Sequence, residues 1–418
     1  MGMAGRRKIT LNTLAPVGVQ PIYEITDEDR KRQKRVENAW KAYEGDFKKP
    51  FDKMPDEPDM NIISNRVVEF VNASNDFLFA KELQITCDEG SPANAQQFID
   101  DTWGRKETRI PFLLRLGLNG AMAGSAFLRI VPGRKKGKFR LVEIDPCIIN
   151  VKTAPQDCLT VLLYCIEYGI DGKDANGKPN RTYYREEISR IDPTEEDPFG
   201  YEDMDADGLD SDVTWSIQHW TQQISSGMAP KSGDWIPAGE PYIWPYPFSP
   251  IFSCQNLPRP NSFWGYPDVM PSVIELNDSL NLVQSSINIE RKIRRLLVGR
   301  GMGEGTIRAE PGKILQTPLP EQMIEAVQVA STTADDIAFA ANLRSDIDEE
   351  VSIPGVATGR IDLLPRGITG IAIELLYGPA LKKTDKKRCT YGEMIIDVSK
   401  ALLVLNNMQA SVSEGDAV

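Results

Sequence analysis

Apolar residues along this chain recur first at helical spacing, then in alternation, then at helical spacing again. Residues 1–25 carry Pro16, Gly18 and Pro21 with no helical period and read as an extended arm. Thr26 is placed to cap a charged helix from about Asp27 to Tyr43, whose first turn holds Asp27, Glu28 and Asp29. A linker with Pro50, Pro55 and Pro58 follows. Asn61 to about Ala80 predicts a second helix with Ile62, Val67, Phe70 and Val71 on its apolar face. Leu83–Cys87 alternates like a strand, and Pro92–Trp103 and Thr108–Met122 predict two more helices.

The middle of the chain is rich in strands. Ser125–Val131 and Phe139–Ile144 flank a basic turn containing Arg134, Lys135, Lys136 and Lys138. Leu159–Ile170 and Arg181–Ile188 form a second hairpin pattern, and Val213–Gln222 is a further strand. A Pro/aromatic stretch, Pro241–Pro260, ends this part.

From Asp268 to Leu297 there is no Gly, and Pro271 falls in the first turn, where it is tolerated. Val273, Leu276, Leu280, Val283 and Ile287 are spaced 3-4-3-4, which predicts one long helix. Its polar face carries Glu275, Asn277, Asp278 and Asn281. Its end is basic, with Arg291, Lys292, Arg294 and Arg295, followed by Arg300. Ile274, Ile289 and Ile293 lie off the main stripe and give the helix a second apolar side. Gly299–Val329 is turn-rich and β-like. Asp335–Val351 predicts a shorter helix with Phe339, Leu343, Ile347 and Val351 recurring every four residues. Pro354–Gly367 is a Gly/Pro loop, and Ile368–Asn406 is a long helical region kinked at Pro379.

Charge and composition narrow the functions. Lys plus Arg number 48 against 60 Asp plus Glu, a net charge of −12, which argues against a protein that coats DNA. Between Glu186 and Asp212 there are 12 acids and one base, Arg190, so most of the net charge sits in one run. His219 is the single histidine, which excludes a multi-His metal site. A catalytic triad would have to pass through it. The six cysteines form no C-x-x-C pair and read as buried reduced thiols of a cytosolic chain. No apolar run approaches the ~20 residues that span a bilayer, so no membrane partner is expected. Gly299–Gly305 lacks the Gly-Lys-Ser/Thr ending of a phosphate loop. Asp203, Asp205 and Asp207, followed by Gly208, match the first half of a calcium loop. Thr214 stands where the bidentate Glu belongs, and a solvated acidic loop is the alternative. No other cofactor is indicated.

The order of these parts resembles the portal (head-tail connector) proteins of tailed bacteriophages. The likeness rests on Asn261-Ser262-Phe263-Trp264-Gly265-Tyr266-Pro267-Asp268 leading into Val273-Ile274-Glu275-Leu276-Asn277. It rests also on Pro245–Ile251 and on Asn61–Ala80 followed by Leu83–Cys87, and it runs in order over residues 36–408. The resemblance implies an α+β fold. Its parts would be an N-terminal arm and helix (1–60), an α/β wing (61–260), a first stem helix region (261–298) and a small inserted clip (299–332). A second stem helix (333–353), a tunnel loop (354–367) and a long bent helix with a short tail (368–418) would follow. Asn407–Val418 leave little or no crown. It implies no enzyme but a ring of the chain with itself, twelve subunits in the family, at one capsid vertex of a virion assembled in the host cytoplasm. Double-stranded DNA would pass through the ring during packaging and ejection, and terminase, major capsid protein and adaptor or neck proteins would dock on it. The 3-4-3-4 stripe would then be an intersubunit seam. The basic cluster Arg291, Lys292, Arg294, Arg295 and Arg300 would lie at the stem and clip. Arg360, Asp362, Leu363, Leu364 and Arg366 would face the channel from the tunnel loop. The alternatives are a cytosolic α/β hydrolase or transferase with a helical appendage, and a virion adaptor protein.

Overall fold

The first helix begins where its capping chemistry directs. The computed structural model describes residues 21–52, 59–79, 83–88, 94–133, 138–173, 179–191, 214–225, 234–292, 296–300, 323–327, 334–358 and 370–415. Within it the Asp29 N–H donates to Thr26 Oγ1 at 3.1 Å, and the Thr26 N–H donates back to Asp29 Oδ2 at 2.9 Å. This reciprocal cap opens helix α1 (Asp27–Glu44).

The described residues form two compact units. The first draws on Met1–Trp40, Val71–Val269 and Thr369–Val418, and the second on Lys41–Phe70 and Met270–Ile368. The fold is mixed α+β, with seven helices and antiparallel sheets among the described residues.

In the first unit, helices α3 (Ala95–Trp103) and α4 (Lys106–Ala123) lead into strands β1 (Ser125–Pro132) and β2 (Phe139–Ile144). Strands β3 (Ile149–Thr153), β4 (Val161–Lys173), β5 (Pro179–Ile191) and β6 (Thr214–Ser225) follow, then the short β7 (Ile236–Pro237), β8 (Tyr242–Ile243) and β9 (Ile251–Gln255). One antiparallel sheet has the order β2-β1-β9. A second runs β3-β4-β5-β6-β7, with β8 also on β6. Phe127, Ile144 and Ile251 of the first sheet share a core with Ile166, Ile188, Trp215 and Ile217 of the second. The other face of β1, with Leu128 and Ile130, packs with α3, α4 and the 46-residue helix α7 (Gly370–Gly415). Tyr391, Met394, Ile395, Val398, Leu402 and Leu405 are the buried stripe of α7. Burying each such side chain contributes roughly 1.5–3 kcal/mol.

The segment Leu83–Cys87 joins no sheet among the described residues, contrary to its alternating pattern. Side chains take its backbone groups instead. Gln96 Nε2 donates to the Ile85 carbonyl, Gln96 Oε1 accepts from the Cys87 N–H, and Arg109 donates to the Leu83 carbonyl. The cysteines also differ from expectation. All six are free thiols, but only Cys165 is buried, and Cys389 is exposed.

In the second unit the helix expected from Asn61 starts later, as α2 (Arg66–Phe79), which crosses into the first unit. Residues 60–66 approach α5 (Pro271–Lys292), which buries Asn277, Asn281 and Ser285 while Glu275 and Asp278 stay exposed. Asn281 Oδ1 accepts from the Ser64 N–H at 2.8 Å, and Ser285 Oγ from the Ile62 N–H at 2.9 Å. Asn277 Oδ1 accepts from the Arg66 N–H, its Nδ2 donates to the Ser64 carbonyl, and Asn288 Nδ2 donates to the Met60 carbonyl at 2.7 Å. At 22 residues α5 is shorter than its pattern suggested. The apolar run Leu296-Leu297-Val298 belongs instead to strand β10 (Leu296–Arg300), paired with β11 (Met323–Val327). Helix α6 (Ala334–Val351) packs on α5 and buries Ala340, Leu343, Ile347 and Val351, while Phe339 stays exposed.

A tight backbone approach in the first unit brings Gly124 and Gly265 together. A Cβ on Gly265 would stand 2.5 Å from the Gly124 carbonyl oxygen and 2.6 Å from that of Leu257, while one on Gly392 in α7 would meet nothing within 4 Å. Gly265→Ala should therefore cost about 1–3 kcal/mol in urea unfolding. Gly392→Ala should be neutral or stabilise by up to about 1 kcal/mol. Equal effects would contradict the close approach.

Candidate functional site

Most of the residues singled out for function lie outside the described residues. These are Asp203, Asp205 and Asp207, the loop residues Arg360, Asp362, Leu363, Leu364 and Arg366, and Arg294 and Arg295. Arg291 and Lys292 fall in the last turn of α5 and Arg300 at the end of β10, their backbones alone being described. The proposed seam divides. Val273 and Leu280 are fully enclosed within the single chain, so they are not free to meet a second copy, which corrects that part of the assignment. Leu276, Val283 and Ile287 are half-buried. Among the described residues no group of three His, Cys, Asp or Glu is placed to hold a metal, and no helix is long and apolar enough to cross a membrane.

The segment Asn261–Val269 is held by its backbone. The Gly265 N–H donates to Ser125 Oγ, the Tyr266 N–H to the Leu257 carbonyl, and the Asp268 N–H to the Ala121 carbonyl at 2.8 Å. Asp268 ends it as a buried carboxylate between two lysines of α7. Lys383 Nζ is 2.9 Å from Oδ1, and Lys387 Nζ donates to Oδ2 and to Ser74 Oγ. Burial alone would raise the Asp268 pKa, but Lys387 and Lys383 outweigh it and hold the group ionised well below the ordinary carboxylate range. Burial lowers Lys387, and Asp268 opposes that shift. Sequence reading found Asp268 as part of a motif and missed both lysines, which lie more than a hundred positions away.

His219 is half-exposed on β6, stacked on Tyr242. Its Nε2 lies 3.4 Å from Glu186 Oε1, and Arg129 holds the same carboxylate through two bonds of 2.6 and 2.7 Å. Burial would raise Glu186, but the hydrogen bonds from His219 and Arg129 prevail and bring its pKa to about 2. No Ser, Thr or Cys side chain is bonded to His219 among the described residues. The group therefore forms an ion-paired clamp between β1 and β5 and lacks the geometry of a nucleophile and base.

A cleft of about 1140 Å³ opens in the first unit between the start of α1, strand β3 and the Arg259–Trp264 segment. Arg32 closes its floor. The buried guanidinium lies 3.8 Å over the Trp264 ring and donates to the Pro146 and Ile149 carbonyls and to Asn150 Oδ1. Burial lowers its pKa to about 10, so it remains a cation at neutral pH. Lys31, Lys34, Arg35, Lys152 and Arg259 line the exposed walls. Acidic Glu24, Glu28 and Asp29 also line the cleft, and Asp29 is engaged by Thr26 and the Tyr23 hydroxyl. Such a surface can bind anions. Its sequence signal was the basic run within α1, read only as helix charge.

No protein-family model matches the chain, and no curated protein matches it.

The Glu186 clamp gives a pH signature. A folded pKa of about 2, below the ordinary 4.5, stabilises the fold above the unfolded value and loses that contribution as pH falls toward 2. Arg129→Gln should cost about 3 kcal/mol at pH 7. The gap to the unaltered protein should narrow in urea titrations at pH 5, 4 and 3. A gap independent of pH would contradict the assignment.

Proposed function

We propose that this chain is a portal-type subunit, a member of a ring at a capsid vertex through which double-stranded DNA is packaged and later released. The single observation that carries the reading is the β10–β11 hairpin set between the packed helices α5 and α6 and followed in sequence by the 46-residue α7. That order matches stem, clip, stem and long helix in the resembled family. The hairpin is the candidate clip, where terminase and then neck or adaptor proteins would dock. The major capsid protein would hold the ring in the virion. The work is mechanical and electrostatic. A mostly acidic subunit disfavours tight binding of phosphates, and a few cations near the stem end and tunnel loop, Arg360 among them, would make weak, exchangeable contacts with the duplex.

Ring closure needs apolar surface that the single chain leaves uncovered. In the second unit this is Leu282 on α5, 46% exposed, with Ile337 and Phe339 on α6, 51% and 53% exposed. Leu276, Val283 and Ile287 can add their free edges, whereas Val273 and Leu280 serve the subunit's own interior. A head-to-tail contact between such patches closes into a ring.

The test uses exposed positions, so that folding survives. The unaltered protein should sediment as a particle of more than half a megadalton if twelve 46.6 kDa subunits assemble. Leu282→Asp with Phe339→Asp should leave circular dichroism unchanged and yield 46.6 kDa monomers. A monomeric unaltered protein, or rings that withstand both substitutions, would contradict the seam.

A further inference from the structure

The long strands of the second sheet run past the core they share with the first. Tyr164 and Ile166 of β4 lie in that core, and Arg129 of β1 reaches as far as Glu186, the partner of Ile166 on β5. Alternation puts Tyr168 and Ile170 on the same face, one and two steps further out. Beyond that row their side chains are uncovered, Tyr168 being 43% and Ile170 54% exposed. Tyr168 stacks on Tyr184, its neighbour on β5.

The same stretch of β4 has a bare edge. Strand β3 pairs with β4 only as far as Ile149 opposite Ile166, and the Glu167 N–H then donates to the Ile148 carbonyl at 2.8 Å. Backbone groups along a strand turn to its two neighbours in alternation. The N–H and C=O of Gly169 and of Asp171 therefore point to the same side as those of Glu167. Among the described residues no strand pairs with them there. Residues 168–172 contain neither Pro nor Lys, two common guards of an edge strand. On the opposite face of the sheet, Arg181 of β5 lies across Gly169, where a Cβ would stand 2.4 Å from its Nε. That Nε is buried with no hydrogen-bond partner among the described residues, Asp171 Oδ1 standing 3.7 Å away.

We propose that this edge of β4 docks an extended segment of a partner protein, which adds an antiparallel strand opposite residues 168–173. The N–H and C=O of Gly169 and Asp171 call for an extended backbone, and side chains on both faces select its sequence. The partner residue opposite Gly169 is acidic, because it stands beside the Arg181 guanidinium. The residue opposite Asp171 is basic. Those opposite Tyr168 and Ile170 are apolar and cover the exposed side chains. Along the partner the order is basic, apolar, acidic, apolar. A second copy of this chain is the less suited occupant. Pairing centred on Ile170 would bring Lys173 of one copy opposite Glu167 of the other, a place that Ile148 already fills. Pairing centred on Asp171 would set two Asp171 carboxylates face to face. The inference is independent of the portal reading, since it concerns one sheet of one subunit.

The test uses the full-length protein and a synthetic peptide, Thr-Thr-Lys-Val-Glu-Val, amidated at its C-terminus, labelled with fluorescein at its N-terminus and followed by anisotropy. Read antiparallel to β4, its Glu falls opposite Gly169 and its Lys opposite Asp171. Saturable binding is expected. N-methylation of the Glu removes an N–H that would donate to the Gly169 carbonyl, and should weaken binding about fivefold or more. N-methylation of the Val between Lys and Glu removes an N–H that points away from β4, and should change binding less than about twofold. Ile170→Lys, at an exposed position, should weaken binding about fivefold. Arg181→Glu should weaken binding of this peptide and strengthen binding of the one with Lys in place of Glu. Absence of saturable binding to the unaltered protein would overturn the proposal. So would equal losses from the two N-methylated peptides, or indifference to Ile170→Lys and to the charge swap. Self-association of the unaltered protein that Ile170→Lys abolishes would assign the edge to a second copy and overturn it too.

Discussion

Backbone that is shielded from water without a helical or sheet partner finds its hydrogen bonds in side chains, and the partly buried residues 60–66 find theirs on one face of α5. Asn277, Asn281, Ser285 and Asn288, at spacings of four, four and three, satisfy four successive backbone sites from Arg66 back to Met60. An apolar substitution at Asn277 would strand the buried Arg66 N–H, at about 1–3 kcal/mol. Arg66, whose N–H ends the row, also reaches Asp348 on α6 at 3.1 Å. One polar stripe therefore binds the incoming strap, α5 and α6 into a single body. The β10–β11 hairpin follows α5 and precedes α6 in that body's sequence.

The first unit solves a similar problem with charge. Asp268 sits buried between Lys383 and Lys387, and its backbone N–H is tied to the end of α4. A buried ion cluster contributes little net stability compared with an apolar replacement, but losing one partner is costly. Both Lys383 and Lys387 of α7 meet the one carboxylate. Four positions apart on a helix, they lie on the same face.

The pattern of the sequence revealed elements whose ends are set by local chemistry, and misread those set by distant partners. The Thr26–Asp29 cap, the strands from Ser125 to Ile144 and the long final helix were legible, since capping and alternation are local signals. The α6 stripe was read through Phe339, because hydrophobicity favours the larger residue. The structure buries Ala340, which fits the close approach to α5. Asn277 and Asn281 were read as part of a polar face shared with Glu275 and Asp278, and only the approach of residues 60–66 makes these two amides interior. Leu83–Cys87 has the composition of a strand but no neighbouring strand among the described residues, and Gln96 and Arg109 take its place. The cleft was invisible for a related reason. Lys152 and Arg259 are isolated in sequence and join the α1 cations only through the fold.

The portal proposal requires that the subunit repeat around an axis, and Leu282, Ile337 and Phe339 are exposed apolar side chains that a neighbour would cover. Electron microscopy of the purified, unaltered protein tests this most directly. The account predicts ring-shaped particles with a central channel wide enough for a DNA duplex, about 20 Å across or more, and rotational symmetry in end-on views. Compact single particles of one subunit, with no channel at any protein concentration, would contradict it.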